Sequence, residues 1–265
     1  MAIYSNKTML SLINISNNML CKNIEISRVI KIYCSLLISG ISINSLNTKV
    51  IEKGLKMQFN DGGFSDNIDT AWYIKLLEYF PQYNFFRNKS VNWVKNNINL
   101  DGGYGRNIRD ISRIPATGLL LYLVKELRTN ETLNWMENIW KSEFGSLTYK
   151  AAYTILAFYY STYNPKDNSI IEKTSEWLAS QQEDDGGFAP WKSHPVGSNI
   201  YFTSISTFAL LMRKDNKYKN IILKAYNYMK ANQLKNGIWA YHEIEYGALW
   251  GLIVITEIEK KYNLL

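Results

Sequence analysis

The chain is poor in the residues that staple or metallate a protein. Its 265 residues include only two cysteines, Cys21 and Cys34, and two histidines, His194 and His242. Two thiols without a secretory leader are expected to be reduced and packed rather than bridged, which excludes a disulfide framework. Two histidines with no thiolates beside them are too few for a soft zinc site, so no metal is expected. Long apolar runs are missing as well. The stretches 32–43 and 248–258 are only about a dozen residues long, short of the ~20 that cross a bilayer, so no transmembrane segment is expected. The first twenty residues scatter Asn and Ser among apolar positions and end in no small-residue cleavage site. No signal peptide is therefore expected, and the cytoplasm is the expected compartment. The formal charge of +7 and the pI near 9.1 come from lysines dispersed among Asn and Ile. That pattern argues against nucleic acid as a partner and leaves a small anionic ligand open.

What the chain does contain is an apolar fraction of 46% at a mean hydropathy of -0.22, the balance of a folded globular protein, together with an internal repeat. Gln233-Leu234-Lys235-Asn236-Gly237-Ile238-Trp239 is echoed by Gln182 to Phe188 and by Gln58 to Phe64. Asp101-Gly102-Gly103-Tyr104 keeps half of the pattern, and Phe144-Gly145-Ser146-Leu147 is a worn copy. Gly62, Gly102, Gly145, Gly186 and Gly237 are spaced by about 40, 43, 41 and 51 residues, a period of one supersecondary unit per repeat. Trp93, Trp177 and Tyr228 stand about eight residues before the Asp or Asn of their turns, which predicts one aromatic on the same helix face in each repeat. A period that runs nearly end to end predicts one domain over 1–265.

Between the turns the periodicity predicts helices in pairs: 46–58 with 69–80, 84–97 with 114–127, 131–142 with 149–161, 168–182 with 200–213, and 218–232 with 244–260. Segments 6–20 and 25–39 supply a further pair. The helices after the turns are apolar almost all round, whereas those before alternate as surface helices do. Two layers and about six hairpins without a polar capping repeat predict an all-α fold, a closed α/α toroid with inner and outer helix rings and a central cavity at the inner-helix N-termini.

These residues resemble the squalene-cyclase repeat, Gln-x-x-x-Gly-x-Trp, of the terpenoid cyclase and protein prenyltransferase superfamily, and the resemblance covers most of the chain. Class II cyclases carry Asp-x-Asp-Asp-Thr-Ala at the start of an inner helix, where the middle Asp protonates an alkene or epoxide. The similar stretch here is Asp66-Asn67-Ile68-Asp69-Thr70-Ala71, with Ile68 in the acid's place. Asp66 and Asp69 are candidates to share the acid's task, or else a turn residue and a helix cap. Asp110, Glu243 and Glu245 are further candidate acids or bases, though acids at a helix start are ordinary. The zinc ligands of protein prenyltransferases have no counterpart, since Asp69-Thr70-Ala71 lacks the Cys and Tyr201-Phe202-Thr203-Ser204 lacks the His.

The diphosphate site of those enzymes resembles Gly105-Arg106-Asn107-Ile108-Arg109-Asp110, followed by Arg113. Arg106, Arg109 and Arg113 are therefore expected either to hold an anionic head group, with Mg2+ if it is a diphosphate, or to form a solvated basic turn. Trp72, Tyr73, Tyr149, Tyr153, Tyr201, Phe202, Tyr246 and Trp250 fall near inner-helix starts, as cavity lining for cation stabilisation or as core. The resemblance implies acid-initiated cyclisation or isomerisation of an isoprenoid-like substrate, with no resident cofactor. Zinc-independent prenyl transfer to a small molecule or peptide, action on a sugar polymer, and a non-catalytic toroid holding a peptide or partner protein are the alternatives, and peripheral membrane contact is compatible with each.

Overall fold

The computed structural model describes residues 3–21, 26–213 and 216–264, all helix and turn with no strand among them. The helices are α1 (Ile3–Cys21), α2 (Ile26–Ile38), α3 (Thr48–Leu55), α4 (Asn67–Leu77), α5 (Asn84–Asn96), α6 (Ile114–Leu123), α7 (Asn130–Glu143), α8 (Thr148–Tyr160), α9 (Ile170–Ser180), α10 (Ile200–Leu211), α11 (Lys219–Ala231) and α12 (Ile244–Tyr262). The expected helix over 25–39 is α2, although residue 25 itself lies outside the described residues. None of the described helices is long and apolar enough to cross a membrane.

The even-numbered helices form a closed inner ring. α2 packs on α4, α4 on α6, α6 on α8, α8 on α10 and α10 on α12, and α12 returns to α2. The odd-numbered helices lie outside, α7 against α6 and α8, α9 against α8 and α10, and α1 across the closing joint between α12 and α2. Composition explains the sorting. In α6 every side chain except Pro115 is buried, and in α10 every one except Tyr201 and Phe202, so both must be surrounded. On α5 only Arg87, Ser90, Val91 and Val94 are buried, a single stripe that needs one neighbour.

The repeat motif is the joint between units. Gly62, Gly186 and Gly237 have positive φ, and a Cβ on them would meet the backbone oxygen of Lys89, Lys224 or Lys7 at 2.5–2.7 Å, in the next outer helix of the ring. Only glycine allows both the turn and that approach. The preceding glutamine fastens the contact. Gln58 donates to the carbonyls of Gly62 and Phe86 and to Ser90 Oγ, and Gln182 to the carbonyls of Gly186 and Ile221. The last copy closes the ring: Gln233 donates to the carbonyls of Gly237 and Tyr4 and to Thr8 Oγ1 of α1.

The expected aromatics complete this joint, but across units. Trp93 lies over Gly63, Trp177 beside Gly145 and Tyr228 beside Gly187, each in the turn of the preceding hairpin. Trp135, not singled out in the sequence, does the same over Gly103.

Candidate active site at the turn end of the ring

The five glycine turns of the repeat lie at one end, because each joins the end of an outer helix to the start of an inner one. Six inner-helix N-termini therefore face the same mouth. Local bonds set their orientation. Asn67 at the start of α4 takes the Arg106 carbonyl with its backbone N–H (2.9 Å) and the Gly105 carbonyl with Nδ2 (3.1 Å), so the arginine turn is held over the mouth. Thr148 docks α8 on the Ala189 and Pro190 carbonyls in the same manner.

Two adjoining lobes open there. The inner one, about 360 Å3, is lined by Ile68, Leu119, Tyr153, Tyr201, Tyr241 and Tyr246, with Arg106, Asp110 and Arg113 at its edge. The outer one, about 590 Å3, is lined by Ser27, Arg28, Met57, Ser65, Asp69 and Glu245. Lys31, Arg106, His242, Glu243 and Tyr246 belong to both. The inner lobe is thus a tyrosine-walled pocket and the outer one a ring of ionic groups.

The phenols of Tyr153 and Tyr201 meet at 3.1 Å. Burial pushes the pKa values of Tyr153, Tyr201 and Tyr246 up, so the wall stays neutral.

The charges of the mouth are paired. Asp66 is the N-cap of α4: its Oδ1 accepts from the Asp69 N–H (2.7 Å) and its Oδ2 from Arg106 Nε (2.8 Å). Asp69 stands in the first turn and pairs with Lys31 Nζ at 2.6 Å. The cap is therefore Asp66 and not Asp69, because the extended backbone at residue 66 lets its side chain reach forward to the N–H of residue 69. Glu245 is buried against Arg28. Asp110 accepts from the Arg106 N–H (3.1 Å) and faces Arg113, and the first of these contacts in particular lowers its pKa. Glu243 lines both lobes and has no ion pair among the described residues.

The remaining expected site residues separate by depth. Arg106 and Arg113 reach the inner lobe, whereas Arg109 is exposed on the turn outside both linings. Tyr149 and Phe202 pack on each other at the α8–α10 joint, ring centroids 5.6 Å apart, beside the lining. Trp72, Tyr73 and Trp250 are core. Tyr73 lies outside both linings and stacks on Phe64 at 3.6 Å, and the ring centroids of Trp72 and Trp250 are 6.2 Å apart in the barrel centre. Lys31, Arg28, Tyr241 and Leu119 are cavity residues that the sequence did not single out. The first two stand on α2, whose hairpin carries no glycine motif to phase it. Among the described residues no cluster of three His, Cys, Asp or Glu side chains is arranged to hold a metal.

No protein-family profile matches the sequence, and no characterised protein matches it by sequence. Solved structures do match. An Arg-to-Ala variant of the type II terpene cyclase MstE from Scytonema, in complex with geranylgeranyl dihydroxybenzoate as substrate, is 12% identical over 97% of this chain and 99% of its own, with a TM-score of 0.73. An Asp-to-Ala variant of the same cyclase, in complex with its product merosterolic acid A, is 13% identical over 99% of each chain at a TM-score of 0.69. A protein from Actinoplanes is 11% identical over 87% of this chain and 88% of its own, with a TM-score of 0.67. Identities this low establish likeness of fold, and the fold is the α/α toroid expected from the repeats.

Proposed function

We propose that the toroid is a terpene-cyclase-like enzyme that takes the apolar tail of a prenylated substrate into the tyrosine-walled lobe and cyclises or isomerises it by proton addition. The observation that carries this reading is the pairing of the two lobes, apolar and aromatic within, ionic at the rim. Such a site suits a molecule with one greasy and one charged end. The substrate of MstE, a geranylgeranyl chain on a dihydroxybenzoate, is of that kind.

Glu243 is the proposed acid, since Asp66, Asp69 and Glu245 are each tied up in an ion pair, with Arg106, Lys31 and Arg28 respectively. A substrate seated in the inner lobe lies against Glu243 and excludes water from the reacting alkene. The Glu243 proton adds to one alkene carbon, the next double bond attacks the resulting cation, and a neighbouring carbon returns a proton to the Glu243 carboxylate, which ends the reaction and restores the acid. Composition is unchanged. The faces of Tyr153, Tyr201 and Tyr246 stabilise the cation without capturing it. No resident cofactor is needed, and Mg2+ enters only with a diphosphate head, which Lys31, Arg106 and Arg113 would receive.

One observation favours a second reading. Ile68 lines the inner lobe at the place where the resemblance puts the class II acid. An apolar side chain there suits a toroid that holds a prenylated molecule or peptide without turning it over.

Incubation with geranyl, farnesyl and geranylgeranyl dihydroxybenzoate, followed by chromatography and mass spectrometry, separates the two. A cyclase yields a product of unchanged mass and new retention. Glu243→Gln should lower its formation by about a hundredfold or more while leaving affinity within about threefold, whereas full activity in that variant would remove Glu243 as the acid. Tight binding with no product in the wild type would establish the second reading.

A further inference from the structure

We infer that the inner lobe takes a short tail, about two isoprene units, and that an aromatic plug of Trp72, Tyr122, Phe208 and Trp250 sets that length. The inference rests on the proposed binding of a prenylated substrate.

Helix periodicity locates the plug. Residues four apart share a helix face, one turn of about 5.4 Å deeper. Below Ile68 on α4 comes Trp72, and below Tyr246 on α12 comes Trp250. On α6, Tyr122 follows Leu119 by three residues, also one turn on. The lobe is lined by Ile68, Leu119 and Tyr246, so the next layer down is its floor.

That layer is closed. The Trp72 and Trp250 ring centroids are 6.2 Å apart, Tyr122 lies 5.8 Å from Trp250, and Phe208 of α10 lies 5.7 Å from Tyr122 and 6.5 Å from Trp250. All four are buried, Trp72 and Trp250 completely. Close-packed interiors leave no room for a chain to pass. On the far side, Tyr160 packs against Tyr122 at 5.0 Å and lines a separate cleft of about 690 Å3 at the opposite end of the ring. The plug therefore stands between the inner lobe and that end of the ring.

Volume gives the same limit. At about 30 Å3 per non-hydrogen atom, the share of one water in the liquid, the inner lobe of about 360 Å3 holds on the order of a dozen atoms. A geranyl tail fills it. Farnesyl and geranylgeranyl tails leave carbons in the outer lobe beside the Arg28–Glu245 and Lys31–Asp69 pairs, where burying them takes water from the charges and offsets the gain. MstE handles a geranylgeranyl substrate, so the difference expected here is one of tail length within a shared fold.

The test is calorimetric titration of the wild-type protein with geranyl, farnesyl and geranylgeranyl dihydroxybenzoate. An isoprene unit newly buried in an apolar pocket tightens binding by a hundredfold or more. The plug predicts that affinity stays within about threefold, or falls, from geranyl to geranylgeranyl. A gain of a hundredfold along the series would overturn the length limit and leave the isoprenoid reading standing, whereas failure of all three to bind would overturn both. Leu119→Trp should fill the lobe and cost geranyl dihydroxybenzoate at least tenfold in affinity. Trp72→Leu, checked for an unchanged circular dichroism spectrum, should favour the farnesyl over the geranyl compound by at least tenfold, and an unchanged preference in a folded variant would exclude Trp72 as part of the floor.

Discussion

Asp66 is the residue at which a helix cap and a catalytic acid compete for the same carboxyl, and its geometry favours the cap. One oxygen closes the first turn of α4 and the other meets Arg106, whose side chain remains 72% exposed. An ion pair that wet contributes less than about 1 kcal/mol, while losing a cap costs roughly 0.5–2 kcal/mol. Asp66→Asn, which keeps the capping oxygen, should therefore unfold within about 1 kcal/mol of wild type in urea, and Asp66→Ala should lose about 1–2 kcal/mol. Equal losses in the two variants would mean that charge, not capping, is what the site uses. The Asp-Asn-Ile-Asp-Thr-Ala stretch was legible in the sequence because it is contiguous and repeats a known pattern. Its partner Lys31 was not. Lys31 lies 38 positions from Asp69 on a helix that no glycine turn phases, and only the packing of α2 against α4 brings the two to 2.6 Å.

Between elements, the most concentrated polar joint is on α7. Glu137 is buried on this outer helix and receives Lys141 Nζ, the Tyr163 hydroxyl, and the backbone N–H groups of Lys166 and Asp167, fastening the segment that leads into α9. Burial pushes its pKa up, but these donors together outweigh burial and bring it down to about 2, from an unfolded value of 4.5. Because the folded value is the lower one, the stabilisation is complete above pH 4.5 and is lost as pH falls from there towards 2. Urea midpoints measured across that window should fall for wild type, and more gently for Glu137→Gln, which is less stable at neutral pH but has no proton to take up there. Parallel slopes would place the acid sensitivity elsewhere. Little in the sequence marks Glu137, since apart from Lys141, four residues on, its partners lie 26 to 30 residues further along and its helix reads as an ordinary surface stripe. The glycine turns, by contrast, announce themselves because the backbone conformation they need is encoded by the residues of the turn itself.

At the scale of the whole molecule, the question is whether six similar hairpins behave as a stack with two ends or as a ring with none. The repeat period was legible, as was the absence of a polar capping unit, and together they implied closure. The plug and the depth of the cavity were not, because apolar inner helices look alike whether they wall a cavity or fill it. Closure has a thermodynamic consequence. In an open stack the terminal units have one neighbour, fray first, and tolerate damage cheaply. Here α1 receives the last glycine turn as α5 receives the first: Gln233 donates to the carbonyls of Tyr4 and Gly237 and to Thr8, as Gln58 does to the carbonyls of Phe86 and Gly62 and to Ser90. Gln233→Leu at the seam should therefore cost as much as Gln58→Leu inside the ring, about 1–3 kcal/mol each for the acceptors left unmatched. Both should shift one cooperative transition seen alike by far- and near-ultraviolet circular dichroism. A stack would respond differently, with the seam variant losing one hairpin early in a separate transition while the variant at Gln58 unfolded as a whole. Coincident transitions and equal costs are the signature of a ring, and they would also mean that the first and last hairpins are as rigid as the rest, as a cavity walled jointly by α2 and α12 requires.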